Sequence, residues 1–130
     1  MRVLIVEDYV DVAVGLEHIV QDGGHETRSA VTAEEALEIA LAWPPDFVLL
    51  DIGLPNMNGY TLAWKLRQEL GLSEVKIFVM SGDPADQARE KVARIDGHLM
   101  KPLDLKVVVD LLEQHRPALD RSPAGRPGRS

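Results

Sequence analysis

Glu7 and Asp8 follow the apolar run Val3-Leu4-Ile5-Val6, and Asp51 closes a second run, Phe47-Val48-Leu49-Leu50. Ser81, with Gly82, follows a third run from Val75 to Met80, and Lys101 follows a weaker one from Gly97 to Met100. Three carboxylates, a hydroxyl and an ammonium therefore stand at the ends of apolar segments. Gathered carboxylates repel one another and hold their protons. A hard divalent cation removes that conflict, and Mg²⁺ needs only two or three carboxylates and a carbonyl beside its own waters. Asp8 and Asp51 are candidates for direct ligands, Glu7 for one acting through water, and the backbone carbonyl of Gly53 for a further one. A carboxylate beside Mg²⁺ can also be a nucleophile, and attack by Asp51 on phosphorus would give an aspartyl phosphate. Such chemistry needs positioning and neutralisation of the phosphoryl oxygens, for which Lys101 and the Ser81 hydroxyl are suited. The chain lacks the Cys or Ser-His pair of acyl transfer and the GxxxxGK[ST] loop of nucleotide binding.

The elements that would position these groups alternate. The strand-like runs are nearly continuous in apolar residues, as expected when both faces of a sheet are covered. His25 to Ala30 is a weaker candidate. Between the runs lie helical patterns. The first places Val12, Leu16, Ile19 and Val20 on one stripe and stops at Gly23-Gly24. The second opens with the capping box Thr32-Ala33-Glu34-Glu35 and buries Ala36, Leu37 and Ala40. The third follows Asn58-Gly59 with Leu62, Leu66 and Leu70. The fourth opens at Asp83-Pro84, and the fifth runs from about Asp104 to His115. Five βα units with short connections predict an α/β fold, a parallel sheet wrapped by helices. Ligands of such sheets sit beyond the carboxyl ends of the strands, the rim that holds all five reactive groups.

The 130 residues suit one domain, over 1–115, with an Arg/Pro/Gly-rich segment, 116–130, expected to be a disordered tail. Composition is that of a soluble globular protein, with 45% hydrophobic and 27% charged residues. Cysteine is absent, which suits a reducing compartment. No apolar run approaches a membrane span and the start does not read as a signal peptide, so a cytoplasmic location is expected. Net charge is −7, and residues 116–130 contribute four Arg and one Asp, which leaves the body more acidic still. Neither nucleic acid nor a membrane is expected as a partner.

The acidic pair Glu7-Asp8 after Val-Leu-Ile-Val, the segment Asp51-Ile-Gly-Leu-Pro55-Asn-Met-Asn-Gly59, Ser81-Gly82 and Lys101-Pro102 together resemble the receiver domains of two-component response regulators. The resemblance covers residues 1–115 and implies a doubly wound (βα)₅ sheet of order 2-1-3-4-5, as in flavodoxin-like folds. It implies that Asp51 accepts phosphate from a histidine kinase or a histidine phosphotransfer protein. It also implies that Glu7 and Asp8 hold Mg²⁺, that Ser81 and Lys101 contact the phosphoryl group, and that the Lys101-Pro102 bond is cis. Phosphorylation would switch the surface of the fourth helix, fifth strand and fifth helix toward an effector protein. On this reading the chain is a stand-alone switch, not a metabolic enzyme, catalysing only its own phosphorylation and dephosphorylation. The alternative is a phosphorylation-independent adaptor or dimerisation module of the same fold. A phosphohydrolase with an aspartyl nucleophile would show a second Asp at position 53, where this chain has Gly.

Two departures stand out. Receivers usually carry Tyr or Phe three residues before the lysine, as a switch partner of the Ser or Thr. Here that residue is His98, expected to pair with Ser81 by hydrogen bonding in place of aromatic packing. Arg94-Ile95 is bulkier than the family pattern. Two surfaces suit partners. Val10 and Val14 fall off the core stripe of the first helix near the rim and, with Pro102, suit docking of a phosphotransfer helix. The fifth helix is apolar over more than half its circumference, which suits a homodimer or an effector contact.

Overall fold

The computed structural model describes residues 1–55, 57–82 and 94–116. Five strands, β1 (Arg2–Val6), β2 (Glu26–Ala30), β3 (Phe47–Asp51), β4 (Lys76–Ser81) and β5 (Gly97–Met100), form one parallel sheet in the order β2-β1-β3-β4-β5. The helices among the described residues are α1 (Val10–Asp22), α2 (Ala33–Ala42), α3 (Gly59–Gln68) and α4 (Leu105–Gln114). The helix expected from Asp83 lies outside the described residues, so α4 is the fifth helix of the sequence reading. Residues 117–130 of the expected tail lie outside them too.

The period of two along each strand sorts the core into two layers. Leu4, Val6, Val48, Leu50, Ile77 and Val79 face α2 and α3. Val3, Ile5, Phe47, Leu49, Phe78 and Met80 face α1 and α4. β1 and β3 are buried on both faces, hence their unbroken apolar runs. β2 is an edge strand and alternates, which explains its weaker signal. Thr32 caps α2 by accepting from the Glu35 amide at 3.1 Å, but Glu35 answers to the Val31 amide at 2.9 Å, one residue before the cap. On α1 the buried stripe is Ala13, Leu16 and Val20. Val12, expected in the core, is exposed, and Ile19 is half-buried. The buried stripe is set by helix phase, with Ala13, Leu16 and Val20 three and four residues apart and Val12 turned off it.

Arg94 and Ile95 acquire a structural account. Arg94 is left-handed at φ 57°, and its carbonyl accepts from Arg67 Nε at 2.6 Å. The same guanidinium donates to the carbonyls of Leu72, Ser73 and Val75 and to Asp96 Oδ2 at 2.9 Å. Asp96 in turn accepts from the Ile77 amide at 2.7 Å. One half-buried arginine thus ties the end of α3 and the start of β4 to the entry of β5. Arg116, assigned to the tail by its composition, packs instead against the body, bonding Glu113 at 2.7 Å and the Gly23 carbonyl at 2.5 Å.

Gly59 begins α3 in contact with β3: a Cβ there would lie 2.7 Å from Leu50 Cδ1 and 2.8 Å from the Asp51 carbonyl oxygen and from Ile52 Cα. Gly15, in the middle of α1, has open space. Alanine at 59 is expected to destabilise the fold by about 1–3 kcal/mol, because backbone must move. Alanine at 15 is expected to stabilise it by about 0.5–1 kcal/mol through helix propensity. Urea midpoints of the two variants check this, and a shift of the same sign for both would contradict it.

Candidate functional site

The chain runs from β1 outward to β2 and then returns across β1 to β3. The cleft between the carboxyl ends of β1 and β3 is therefore a topological switch point, where doubly wound sheets place ligands. Glu7 follows β1 directly and is fully buried, Asp51 is the last rung of β3 at 5% exposure, and Asp8 is half-buried between cleft and solvent. Each of the three carboxylates offers an oxygen within 4.8 Å of the others. Ser81 ends β4 and is buried. Lys101 leaves β5, its amide bonded to the Ser81 carbonyl at 2.9 Å. The Lys101–Pro102 peptide is cis.

Lys101 reaches across the cleft. Its Nζ lies 3.1 Å from Asp51 Oδ2 and 3.6 Å from Glu7 Oε1. The other Asp51 oxygen, Oδ1, accepts from the Gly53 amide at 3.1 Å. The Gly53 contact in this structure is thus through its N–H. Glu7 Oε2 accepts from the Tyr9 amide at 3.3 Å, while Oε1 is buried without a hydrogen bond. Burial, more than any other cause, pushes the Glu7 carboxyl up to about 7; the Tyr9 amide opposes this, and the neighbouring Asp51 adds to it. Burial works against the Lys101 ammonium too, but its hydrogen bond and attraction to Asp51, helped by Glu7, outweigh it and raise its pKa.

The donor set fits a hard cation. It consists of oxygens alone, is over-supplied with negative charge, and contains a buried carboxylate oxygen lacking a hydrogen bond. Glu7, Asp8 and Asp51 are the residues that could hold it.

His98 sits on β5 in register with Val79, two rungs below Ser81. Its Nε2 lies 2.7 Å from the Tyr60 hydroxyl, with ring centroids 6.0 Å apart. Tyr60 went unremarked in the sequence; the signal was a phenol at the start of a helix whose neighbours are core, since a buried Tyr hydroxyl needs a partner. Val10 and Val14 are exposed, at 61% and 44%, and Tyr9 beside the cleft is 68% exposed. Between α1 and the start of α4 runs an apolar groove of about 340 Å³, lined by Val12, Leu16, Ile19, Pro102 and Leu105 among others. Its near end abuts Lys101.

Comparison with known proteins agrees with this arrangement. The sequence profile of the response regulator receiver domain matches residues 3–113. The chain is 34% identical over 110 residues to the transcriptional regulatory protein PrrA of Mycobacterium bovis, covering 83% of this chain and 46% of PrrA. It is 31% identical over 103 residues to the sensor histidine kinase TmoS of Ectopseudomonas mendocina, covering 78% of this chain and 10% of TmoS. The chain thus spans less than half the length of either relative. A CheY-like response regulator receiver domain from Methylobacillus flagellatus superposes with a TM-score of 0.81 at 26% identity, over 89% of this chain and 98% of that one. The chain belongs to the response regulator receiver domain family, a family of two-component signalling modules. No helix among the described residues is long and apolar enough to cross a membrane.

The raised pKa of Glu7 has a measurable sign. A carboxyl that binds its proton more tightly when folded stabilises the fold fully below about pH 4.5, and this contribution is lost as pH rises through about 7. In metal-free protein, wild type is expected to lose on the order of 3 kcal/mol more than Glu7→Gln across that window. Added Mg²⁺ is expected to stabilise wild type more at the alkaline end, where Glu7 is ionised. Urea titrations at stepped pH test both; parallel curves for the two proteins would refute the assignment.

Proposed function

We propose that this chain is a phosphoacceptor switch of a two-component relay, with Asp51 receiving a phosphoryl group from the histidine of a kinase or phosphotransfer protein in a Mg²⁺-dependent reaction. The observation that carries this reading is the 3.1 Å contact of Lys101 with Asp51 inside a cluster of three carboxylates. Asp51 is rigidly placed by the last rung of a buried strand, with one oxygen held by the Gly53 amide. The oxygen facing Lys101 is the nucleophile. As its bond to phosphorus forms, the bond from phosphorus to the donor nitrogen breaks, and the departing imidazole keeps that electron pair and takes up a proton. Lys101 and the Ser81 hydroxyl then neutralise and orient phosphoryl oxygens. Mg²⁺ held by Glu7, Asp8, Asp51 and the Gly53 carbonyl would offset the charge of the acidic cleft and of the incoming phosphate. Water attack on the same phosphorus would return the free carboxylate, so the chain acts on itself and on no metabolite.

The phosphorylated form would act by shifting a two-state equilibrium of the surface around β5 and α4. Leu105, Val107 and Val109 are exposed on α4 and give an effector or a second copy an apolar contact. That the matched relatives include a sensor histidine kinase and a transcriptional regulatory protein supports a place in phosphoryl signalling. His98 is the proposed switch residue, and Val10, Val14 and Pro102 the proposed donor-docking residues.

Acetyl phosphate with Mg²⁺ is expected to label Asp51, chelation or Asp51→Asn to abolish labelling, and Lys101→Ala to slow it roughly a hundredfold. Intact-mass measurement checks this; an unlabelled wild type would favour the phosphorylation-independent adaptor. Glu at both Val10 and Val14 is expected to slow transfer from the cognate histidine protein roughly tenfold, as loss of apolar docking contacts does. Labelling by acetyl phosphate should be unaffected, and equal loss with both donors would defeat the docking assignment.

A further inference from the structure

Tyr60 is buried in the layer beneath α2 and α3, yet carries a hydroxyl that a core must satisfy. Its 2.7 Å contact with His98 Nε2 joins the first turn of α3, which follows β3, to β5, a strand separated from β3 in the sheet by β4. The turn that carries Tyr60 is held against the segment that follows Asp51. The Tyr60 amide is held by Asn58 Oδ1 at 2.7 Å. The preceding Gly59 donates its amide to the Ile52 carbonyl at 3.0 Å and lies so close to β3 that even a methyl group would collide with it. His98 in turn lies three residues before Lys101, whose ammonium returns to Asp51. The links Asp51, Ile52, Gly59, Tyr60, His98 and Lys101 therefore close a ring around the end of β4.

We propose that Tyr60 is a positioning residue of the switch, its hydroxyl latching His98 to the first turn of α3 so that a displacement following Asp51 is carried to β5. This rests on the reading of Asp51 as phosphoacceptor. A phenol can donate or accept, so the latch holds with either tautomer of the imidazole. It differs from the Ser81–His98 pairing expected from sequence because the link leaves from the segment after Asp51 and not from β4. Phenylalanine at 60 keeps the buried ring and removes the hydroxyl that meets His98, which shifts the ratio of latched to unlatched His98 roughly fivefold.

The test follows the His98 imidazole resonances of the full chain by NMR, assigned with His98→Phe, as beryllofluoride and Mg²⁺ are added in place of the phosphoryl group. Acetyl phosphate labelling is measured in parallel. Tyr60→Phe is expected to be labelled as wild type is, while its beryllofluoride-induced shift at His98 falls severalfold. A wild-type-sized shift in Tyr60→Phe overturns the latch, as does a labelled wild type whose His98 does not respond. A wild type that is neither labelled nor shifted removes the phosphoacceptor reading and the latch with it. The reciprocal variant His98→Phe guards against a misfolded Tyr60→Phe: its beryllofluoride response at the Gly59 and Tyr60 amides is expected to change as well, and an unchanged response overturns the proposal.

Discussion

Two carboxylates sit almost without solvent at the carboxyl ends of the two central strands, and a single ammonium spans both. Burial first, and the neighbouring Asp51 after it, push the Glu7 carboxyl up to about 7, and the attraction of Lys101 offsets this only in part. The rest of the structure supplies what this cluster demands. β1 and β3 must be stiff enough to hold the carboxylates together against repulsion, so they are buried on both faces. β5 must end where Lys101 can reach, so its entry is fixed by Arg67 and Asp96. The site thus holds an excess of negative charge that a cation would relieve and a phosphoryl group would increase.

The two ends of the sheet divide this labour. At the amino ends of the strands, Arg67 satisfies carbonyls in the turn before β4, the Asp46 carboxylate accepts from the Arg2 amide, and Arg116 closes onto Gly23. At the carboxyl ends, the described contacts are those of charged groups: Lys101 meets Asp51 at 3.1 Å and Glu7 Oε1 at 3.6 Å, and that buried oxygen makes no hydrogen bond. Buried polar atoms are ordinarily hydrogen-bonded, so such an oxygen at a cleft is suited to a further ligand.

The parts of the fold legible in the sequence were those with a strong period. β1, β3 and β4 read as unbroken apolar runs because helices cover both their faces, and Thr32 and the glycines after α1 marked helix ends through local bonds. The rim residues were legible because each follows such a run, so spacing along the chain translated into position on the sheet. What could not be read was set by tertiary distance. Val12 has the apolar character of a core residue, but the rotation of α1 on the sheet buries Ala13, Leu16 and Val20 instead. Arg94 looked out of place only until Arg67, 27 residues away, was seen to need its carbonyl. His98 stood out by its position before Lys101, but its partner did not: Tyr60, 38 residues away, carries no signal of the pairing until the fold sets the two 2.7 Å from one another.

That pair bears on how β5 can be both held and moved. An edge strand has one neighbour in the sheet, so its position depends more than any other on side chains. Arg67 and Asp96 fix its entry, and Lys101 fixes its exit to a charge that phosphorylation would change. The middle is governed by His98. A bulky aromatic there would be placed by packing, which is non-directional and tolerates sliding. An imidazole bonded to a phenol is placed by a directional contact that is either made or broken. On the latch proposed above, His98 in place of the usual aromatic would exchange a graded apolar contact for a discrete one.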